Sequence, residues 1–542
     1  MPSRIGLVAA AAFFASTTAA SAGPVVRAPA GAVEGDTVGK VDVFRGLPYA
    51  LPPVGELRWK APLPLPAWQG VRKADAFGPA CVQPRPRTNS IYANPPARVS
   101  EDCLTLNIWA PKGARKAPVI VWIHGGSLTA GYSHERMYDG ARIAADGTIL
   151  VSINYRLGIL GYLAHPALSA ESGEGVSGNY GLLDQIAALE WVKRNIGAFG
   201  GDAGNVTIAG ESAGALSVMY LMASPRARGL FHKAIAQSAY MITAPDLRET
   251  RHGTPSAEEA GTRIMTTLGA ADLPGLRAME AEKLSQAAIS AGYGPWGTVD
   301  GKILPRQLVD SFDRGEQAPV PLIAGFNAGE IRTLRFLMPP APTSAAAYEE
   351  AIRARYGDLA DAFLRLYPAS AIEESMLAAT RDALYGWTSE RLARHQTAIG
   401  QPGYLYLFDH AYPAASDNAM HAFHAAEIPS VFGTIDSTPP FWPKIPDGLA
   451  ERRLSDAMRG YWTSFARTGT PAAKGQPRWE PYGTSQHYMA FTQAPKPGTR
   501  LFPGMFALHE GAVCRRRAAG DQPWNWNTGI ISPKLVEAAA CR

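Results

Sequence analysis

Short apolar runs alternate with longer amphipathic stretches through the central part of the chain. The apolar runs are four to six residues long and lack polar alternation, which predicts strands buried on both faces. These runs lie at 118–123, 149–154, 206–209, 234–237, 321–325 and 404–408. The sequence therefore predicts a sheet whose strands are mostly parallel, because such strands need cover on both sides.

The stretches between the runs have helical periodicity. Leu182, Ile186, Leu189 and Val192 share one face at helical spacing, and an FGGD turn at 199–202 ends that pattern. Residues 255–290 and 344–398 are rich in Ala, Glu and Arg, which predicts helical insertions or a cap. Alternation of strand and helix is typical of a doubly wound α/β fold, where ligands bind at the carboxyl ends of the strands.

Composition places the chain among globular proteins. Of its 542 residues, 46% are hydrophobic and 18% are charged, and no Ser/Gly-rich linker divides the sequence. We therefore expect one large domain over residues 23–542. The net charge of +5 arises from 52 basic and 47 acidic residues without a basic block, so we expect no nucleic-acid partner.

The first 22 residues have the pattern of a secretory signal peptide. Arg4 precedes an apolar stretch at 5–15, and the small residues Ala20 and Ala22 follow. The apolar stretch is far shorter than the roughly 20 residues that span a bilayer. We expect cleavage after Ala22, a periplasmic or secreted location and no stable membrane anchor.

Four cysteines are present, and an even number in an exported chain predicts two disulfides. Three pairings are possible, of which sequential pairing closes two short loops. Because no CxxC pair occurs, a zinc or redox site has little support. The cysteines are Cys81, Cys103, Cys514 and Cys541.

A candidate nucleophile is Ser212 in the string GESAG at 210–214. The string is common by chance, but here it follows a predicted strand and precedes an apolar helix, as a nucleophile elbow does. Upstream, the strand at 118–123 ends in HGGS at 124–127, a loop that can present backbone N–H groups to an oxyanion. The two motifs together indicate acyl-transfer chemistry.

A serine nucleophile needs a histidine base and a carboxylate that orients the base. The chain order Ser, acid, His, usual for this fold, leaves six histidines as candidates. His421 and His424 could share a metal on one helix face, but no third ligand stands at a recognisable spacing, so we expect no metal and no cofactor. The six are His395, His410, His421, His424, His487 and His509.

Seven ordered motifs together resemble the type-B carboxylesterase family, which includes cholinesterases, bacterial para-nitrobenzyl esterases and the non-catalytic neuroligins. The resemblance runs from about residue 25 to the C-terminal region. The motifs are FRGLPYALPPVGELRW at 44–59, EDCLTLNIWAP at 101–111, NYRLGILG at 154–161, GNYGLLDQ at 178–185, GESAG at 210–214, GFNAGE at 325–330 and HAAEIPSVFG at 424–433.

The resemblance implies an α/β-hydrolase fold and hydrolysis of carboxylic esters through an acyl-enzyme. It implies Ser212 as the nucleophile, Glu330 as the acid and His424 as the base. It further implies a backbone oxyanion hole and a first disulfide between matching cysteines. The oxyanion donors are Gly126, Ser127 and Ala213, and the first disulfide joins Cys81 to Cys103.

The chain departs from the family pattern at two positions. Ser127 stands where a third glycine is usual, which adds a side chain to the oxyanion region, and Ile331 replaces the glycine after the acid. The 81–103 segment also lacks the tryptophan that holds quaternary ammonium in cholinesterases, and Tyr92 is a weak substitute. Choline esters are therefore not the expected substrates.

Two other functions remain open from the sequence. The same triad could act on an amide, carbamate or lactone bond, because the chemistry of attack is shared. A neuroligin-like binding protein would keep the fold without the catalytic serine. All three triad positions are filled here, which argues against the binding protein.

Overall fold

An eleven-stranded sheet forms the centre of the computed structural model, which describes residues 23–85, 89–524 and 527–541. The predicted signal peptide, residues 1–22, lies outside the described residues. The strands in chain order are β1 Val25–Ala28, β2 Gly31–Glu34, β3 Asp36–Val38, β4 Val41–Pro48, β5 Val71–Lys73, β6 Ala80–Cys81, β7 Val99–Ser100, β8 Thr105–Pro111, β9 Ala117–Ile123, β10 Ile149–Ile153, β11 Gly201–Glu211, β12 Lys233–Gln237, β13 Leu322–Asn327, β14 Gly403–Phe408, β15 His487–Phe491 and β16 Pro495–Thr499. In spatial order the central sheet runs β16-β15-β14-β13-β12-β11-β9-β10-β8-β4-β3.

Helices cover both faces of this sheet. They are α1 Ala141–Ala145, α2 Gly158–Tyr162, α3 Pro166–Glu171, α4 Tyr180–Asn195, α5 Ala213–Ala223, α6 Ala257–Thr267, α7 Leu273–Ala278, α8 Ala281–Ser290, α9 Leu308–Asp313, α10 Ala345–Tyr356, α11 Ala360–Leu366, α12 Ile372–Arg381, α13 Trp387–Ala398, α14 Pro413–Asp417, α15 Ile428–Phe432, α16 Leu449–Thr468 and α17 Met505–Ala519. The predicted helical insertions at 255–290 and 344–398 correspond to α6–α8 and α10–α13. No described helix combines the length and the apolar character that a membrane crossing requires.

The centre of the sheet is parallel, as the unbroken apolar runs predict. Strands β10, β9, β11, β12, β13, β14 and β15 pair in parallel, while β8, β4, β3 and β16 add antiparallel edges. All six predicted strands are present. β11 is longer than predicted because its register shifts between Gly201 and Val206, where partly exposed residues interrupt the apolar run.

Helices α4 and α5 pack into the buried centre of the protein. Leu182, Leu189 and Val192 of α4 are fully buried, in agreement with the predicted apolar face. All eleven residues of α5 are buried. Because α5 follows β11 directly, its N-terminus is held at the carboxyl end of the parallel strands.

Two disulfides close separate loops. Cys81 pairs with Cys103 over a sequence separation of 22, and Cys514 pairs with Cys541 over 27. Loops of this size lower the entropy of the unfolded chain, which stabilises the fold by about 3 kcal/mol per bond in the loop-closure model. Disulfides persist in oxidising compartments, so the pair indicates a location outside the cytoplasm.

Candidate active site

Ser212 lies on a sharp turn between β11 and α5. Its backbone has φ 55° and ψ −120°, a conformation that side chains rarely adopt and that is typical of a nucleophile elbow. The flanking glycines are required by close contacts. A Cβ atom at Gly210 would lie 2.5 Å from the carbonyl carbon of Gly214, and one at Gly214 would lie 2.1 Å from the carbonyl oxygen of Ile123.

The loop after β9 presents free backbone donors beside this turn. Gly126, Ser127 and Leu128 all have positive φ, at 100°, 57° and 57°. Gly126 and Ser127 are exposed, whereas Leu128 is buried. Among the described residues, no acceptor pairs with the N–H groups of Gly126, Ser127 and Ala213. Ala213 is also the first residue of α5, so the positive end of that helix dipole adds to the same region.

Glu330 and His424 form a close buried pair. Oε2 of Glu330 lies 2.5 Å from Nδ1 of His424. The other carboxylate oxygen accepts hydrogen bonds from Ser238 Oγ at 2.6 Å and from the N–H of Asn327 at 2.8 Å. Glu330 is fully buried and His424 is 7% exposed. The carboxylate is therefore oriented on both oxygens, and the imidazole is oriented through Nδ1.

The opposite ring nitrogen of His424 faces a second carboxylate. Nε2 lies 3.1 Å from Oε1 of Glu211, the residue directly before Ser212. The described structure contains no hydrogen bond between the side chains of Ser212 and His424. Ser212 and His424 are therefore close in space, and Oε1 of Glu211 lies near Nε2 but makes no hydrogen bond among the described residues.

This arrangement shifts the ionisation of both partners. Burial alone lowers the pKa of His424, but the carboxylates of Glu211 and Glu330 outweigh it and raise that pKa above its ordinary value. Burial also raises the pKa of Glu211, and attraction to His424 opposes that rise. Each of the two groups therefore favours the charged form of the other.

Other candidate groups lie away from the serine or are neutral. The side chain of His421 is 46% exposed and approaches Asp409, with Nδ1 3.7 Å from Oδ1. Burial lowers the pKa of His124, in the oxyanion loop, to about 4, so that ring is uncharged. The part of the chain that the structure describes contains no cluster of three or more side chains that could hold a metal ion.

Sequence reasoning singled out Ser212, Glu330 and His424 but missed several contacts around them. Glu427, three residues after His424, accepts hydrogen bonds from Gln237 at 2.9 Å and from Asn327 at 2.6 Å. Ile331 is buried, 1% exposed. The contact of Glu211 with the base had one signal in the sequence, namely an acidic residue inside the elbow motif itself.

Three features lie together at the carboxyl ends of the parallel strands. They are a serine on a strained strand-to-helix turn, a buried carboxylate-histidine pair, and free N–H groups beside the serine. This fold, together with that site, defines the α/β-hydrolases, in which the serine elbow follows a central strand.

Comparison with known proteins narrows the class. The model of the family described as "Carboxylesterase family" matches residues 22–503. The chain is similar to the fumonisin B1 esterase of Sphingopyxis macrogoltabida, with 36% identity over 479 residues, covering 85% of each chain. It is also 36% identical to the para-nitrobenzyl esterase of Bacillus subtilis (strain 168), over 84% of this chain and 92% of that protein.

Solved structures agree with these matches. A PNB esterase structure superposes with a TM-score of 0.76 and 33% identity, covering 88% of this chain and 97% of that chain. A thermophilic PNB esterase gives the same TM-score at 32% identity, over 90% and 99% of the two chains. The chain belongs to the carboxylesterase family, and it is a carboxylic ester hydrolase.

Proposed function

We propose that Ser212 is the nucleophile, His424 the general base and Glu330 the acid that orients the base. In the first half-reaction Ser212 Oγ bonds to the ester carbonyl carbon while its proton passes to Nε2 of His424. The tetrahedral intermediate then collapses, the bond to the alcohol oxygen breaks, and that oxygen takes the proton from Nε2. Water repeats the sequence on the acyl-enzyme and releases the acid.

The oxyanion forms where Gly126, Ser127 and Ala213 present their N–H groups. Three backbone donors with no other acceptor cost no reorganisation when the charge develops, and each such donor contributes roughly 10²- to 10³-fold to the rate in related chemistry. Ser127 differs from the other two donors because it also carries a side chain. Its exposure supports a role in narrowing the acyl side of the site.

Nε2 of His424 must align with Ser212 Oγ before it accepts a proton, because in the structure it lies 3.1 Å from Oε1 of Glu211 and makes no hydrogen bond to Ser212. Catalytic hydrogen bonds often align only when substrate is bound. Protonation of Glu211 would weaken its attraction to the imidazole, and the raised pKa of Glu211 makes that state accessible near neutral pH.

The observation that carries the proposal is the 2.5 Å contact between Glu330 and His424 beside a serine in elbow conformation. The test is hydrolysis of para-nitrophenyl esters of increasing acyl length. Ser212→Ala should lose activity by roughly 10⁶-fold, as loss of a serine nucleophile does. Ser290→Ala, at the exposed end of helix α8, is the matched control and should retain full activity. Turnover by folded Ser212→Ala would refute the assignment.

The same assay identifies the type of bond that the enzyme prefers, when esters are compared with amides, carbamates and lactones of the same acyl group. One relative is named phenmedipham hydrolase, at 34% identity over 481 residues, so esters are not the only compounds to test. We infer that esters are preferred, because fumonisin B1 esterase and para-nitrobenzyl esterase are similar over most of the chain. A higher kcat/KM for an amide, carbamate or lactone of the same acyl group would overturn that preference.

We also propose that residues 23–542 act as one catalytic domain after removal of residues 1–22. The two disulfides support folding in an oxidising compartment. N-terminal sequencing of the exported protein should begin at Gly23. Retention of Met1, or recovery of the activity only with membranes, would contradict this processing.

A further inference from the structure

The loop closed by the Cys81–Cys103 disulfide reaches the catalytic pair through one hydroxyl group. The hydroxyl of Tyr92 lies 2.9 Å from the carbonyl oxygen of His424 and 2.8 Å from Oγ1 of Thr333. A carbonyl oxygen only accepts, so the single phenolic proton of Tyr92 is donated to His424. Thr333 must then donate its own proton to Tyr92. The hydrogen bonds run in one direction, from Thr333 through Tyr92 to His424.

The backbone that carries His424 needs such contacts because it is irregular. His424 lies between α14 and α15, and Ala419, His421 and Ala425 around it have φ values of 54°, 56° and 67°. Residues in this region of backbone conformation are strained and persist only when neighbours hold them. No helix or strand ladder fixes the position of the base.

Hydrogen bonds hold the backbone here through three consecutive carbonyl groups, which end with that of His424. The N–H of Gly329 bonds to the carbonyl of Ala422 at 2.8 Å, and the amide of Asn327 bonds to that of Phe423 at 2.8 Å. Both donors belong to the segment that leads into Glu330. The third carbonyl, that of His424 itself, is held by Tyr92 from a position 332 residues away in the chain.

Tyr92 is also linked, through Thr333, to the segment that carries Glu330. Thr333 ends the short helical turn that begins at Glu330, so its bond to Tyr92 ties that turn to the same hydroxyl. The ring of Tyr92 meets Trp442 edge-on at 5.9 Å, and Trp442 packs on Phe423 at 4.8 Å. The phenol is therefore held in place by packing as well as by hydrogen bonds.

We propose that Tyr92 is a positioning residue for ester hydrolysis, whose hydroxyl holds the backbone of His424 against the turn that carries Glu330. The inference rests on the proposed roles of Glu330 and His424. Tyr92 acts through the alignment of these two side chains and makes no contact with the reacting atoms. Small errors in the placement of catalytic groups are costly, because proton transfer depends on aligned geometry.

The test is Tyr92→Phe, which removes the hydroxyl and keeps the ring. We expect kcat to fall about tenfold, comparable with the loss of one net hydrogen bond, with KM changed by less than about twofold. A looser contact with Glu330 stabilises the imidazolium less, so the pKa of His424 falls and the acidic limb of the kcat/KM profile moves to lower pH. A purely structural tyrosine would not move that limb.

Thr333→Val tests the same chain of hydrogen bonds from its other end. It should lower kcat in the same direction but less, and combining it with Tyr92→Phe should add almost nothing, because both remove one connected unit. Tyr293→Phe is the matched control: its hydroxyl also bonds to a backbone carbonyl, that of Tyr162 at 2.8 Å, on the helical insertion side of the protein. That variant should keep the kcat and pH profile of the original protein.

The possible results distinguish a failure of the positioning role of Tyr92 from a failure of the proposed roles of Glu330 and His424. Unchanged kcat and pH profile in Tyr92→Phe, or a loss confined to KM, would overturn the positioning role while leaving the triad intact. Full activity in Glu330→Gln or His424→Ala would instead overturn the proposed function itself. If Tyr92→Phe fails to fold, judged by its melting temperature and its circular dichroism spectrum, Thr333→Val decides the question alone.

Discussion

Replacing Glu211 by glutamine should move the pH dependence of the enzyme to lower pH. Glu211 Oε1 lies 3.1 Å from Nε2 of His424 in a buried site. At that distance, a full negative charge would stabilise the imidazolium by about 5 kcal/mol at an effective dielectric constant of 20. The carboxyl carries only part of that charge near neutral pH, because burial raises its pKa. We therefore expect the apparent pKa of the base to fall by at least about one unit.

The shift is expected toward lower pH because the neutral imidazole of His424 is the proposed reactive form. If His424 is the base, as proposed, it must be neutral to accept the proton of Ser212, and the nearby carboxylates that raise its pKa shift activity toward higher pH. Removing one carboxylate should extend activity toward acid, whatever happens to the maximal rate. The assay is kcat/KM for para-nitrophenyl acetate between about pH 5 and 9, read at the isosbestic wavelength of the product.

Glu427→Gln is the matched control for this experiment. Glu427 is also buried and also raises the pKa of His424, but its effect is smaller than those of Glu211 and Glu330. Its two carboxylate oxygens bond to the side chains of Gln237 and Asn327. We expect a smaller shift in the same direction. An acidic limb that stays in place in Glu211→Gln, or moves to higher pH, would refute the reasoning.

Two further substitutions test the turn and the oxyanion loop. Ser127→Gly removes an exposed side chain at positive φ, so kcat/KM for a branched acyl ester should rise about tenfold relative to acetate; equal changes for both esters would show that Ser127 does not narrow the acyl side. Gly214→Ala forces a Cβ to 2.1 Å from the carbonyl oxygen of Ile123, so the unfolding free energy should fall by about 1–3 kcal/mol and turnover should be lost. Gly173→Ala, where a Cβ meets open space, is its control, and equal stability of the two variants in thermal unfolding would contradict the steric argument.

The parallel centre of the sheet could be predicted because its strands are buried on both faces and read as unbroken apolar runs. The extension of β11 back to Gly201 could not, since partly exposed residues interrupt the run where the register shifts. The antiparallel edges were also missed. Strand β3, with the sequence DTV, has two exposed residues and no apolar run to detect.

In the candidate site, too, some residues could be predicted from the sequence and some contacts could not. Ser212 could be predicted from its elbow motif, and Glu330 and His424 from resemblance to a family. The contact of Glu211 with His424 and the hydrogen bond from Tyr92 depend on how distant segments pack and where side chains point. Tyr92 illustrates the limit: the sequence suggested a weak aromatic face for a cation, whereas its ring packs on Trp442 and its hydroxyl bonds to His424.

The most direct test of the account is to find the residue that carries the acyl group. A slowly hydrolysed para-nitrophenyl ester should give a burst of one product equivalent per enzyme, and peptide mapping by mass spectrometry should locate the acyl adduct on Ser212. The adduct should be absent from Ser212→Ala. An adduct on another residue, or steady turnover by Ser212→Ala, would contradict the central claim.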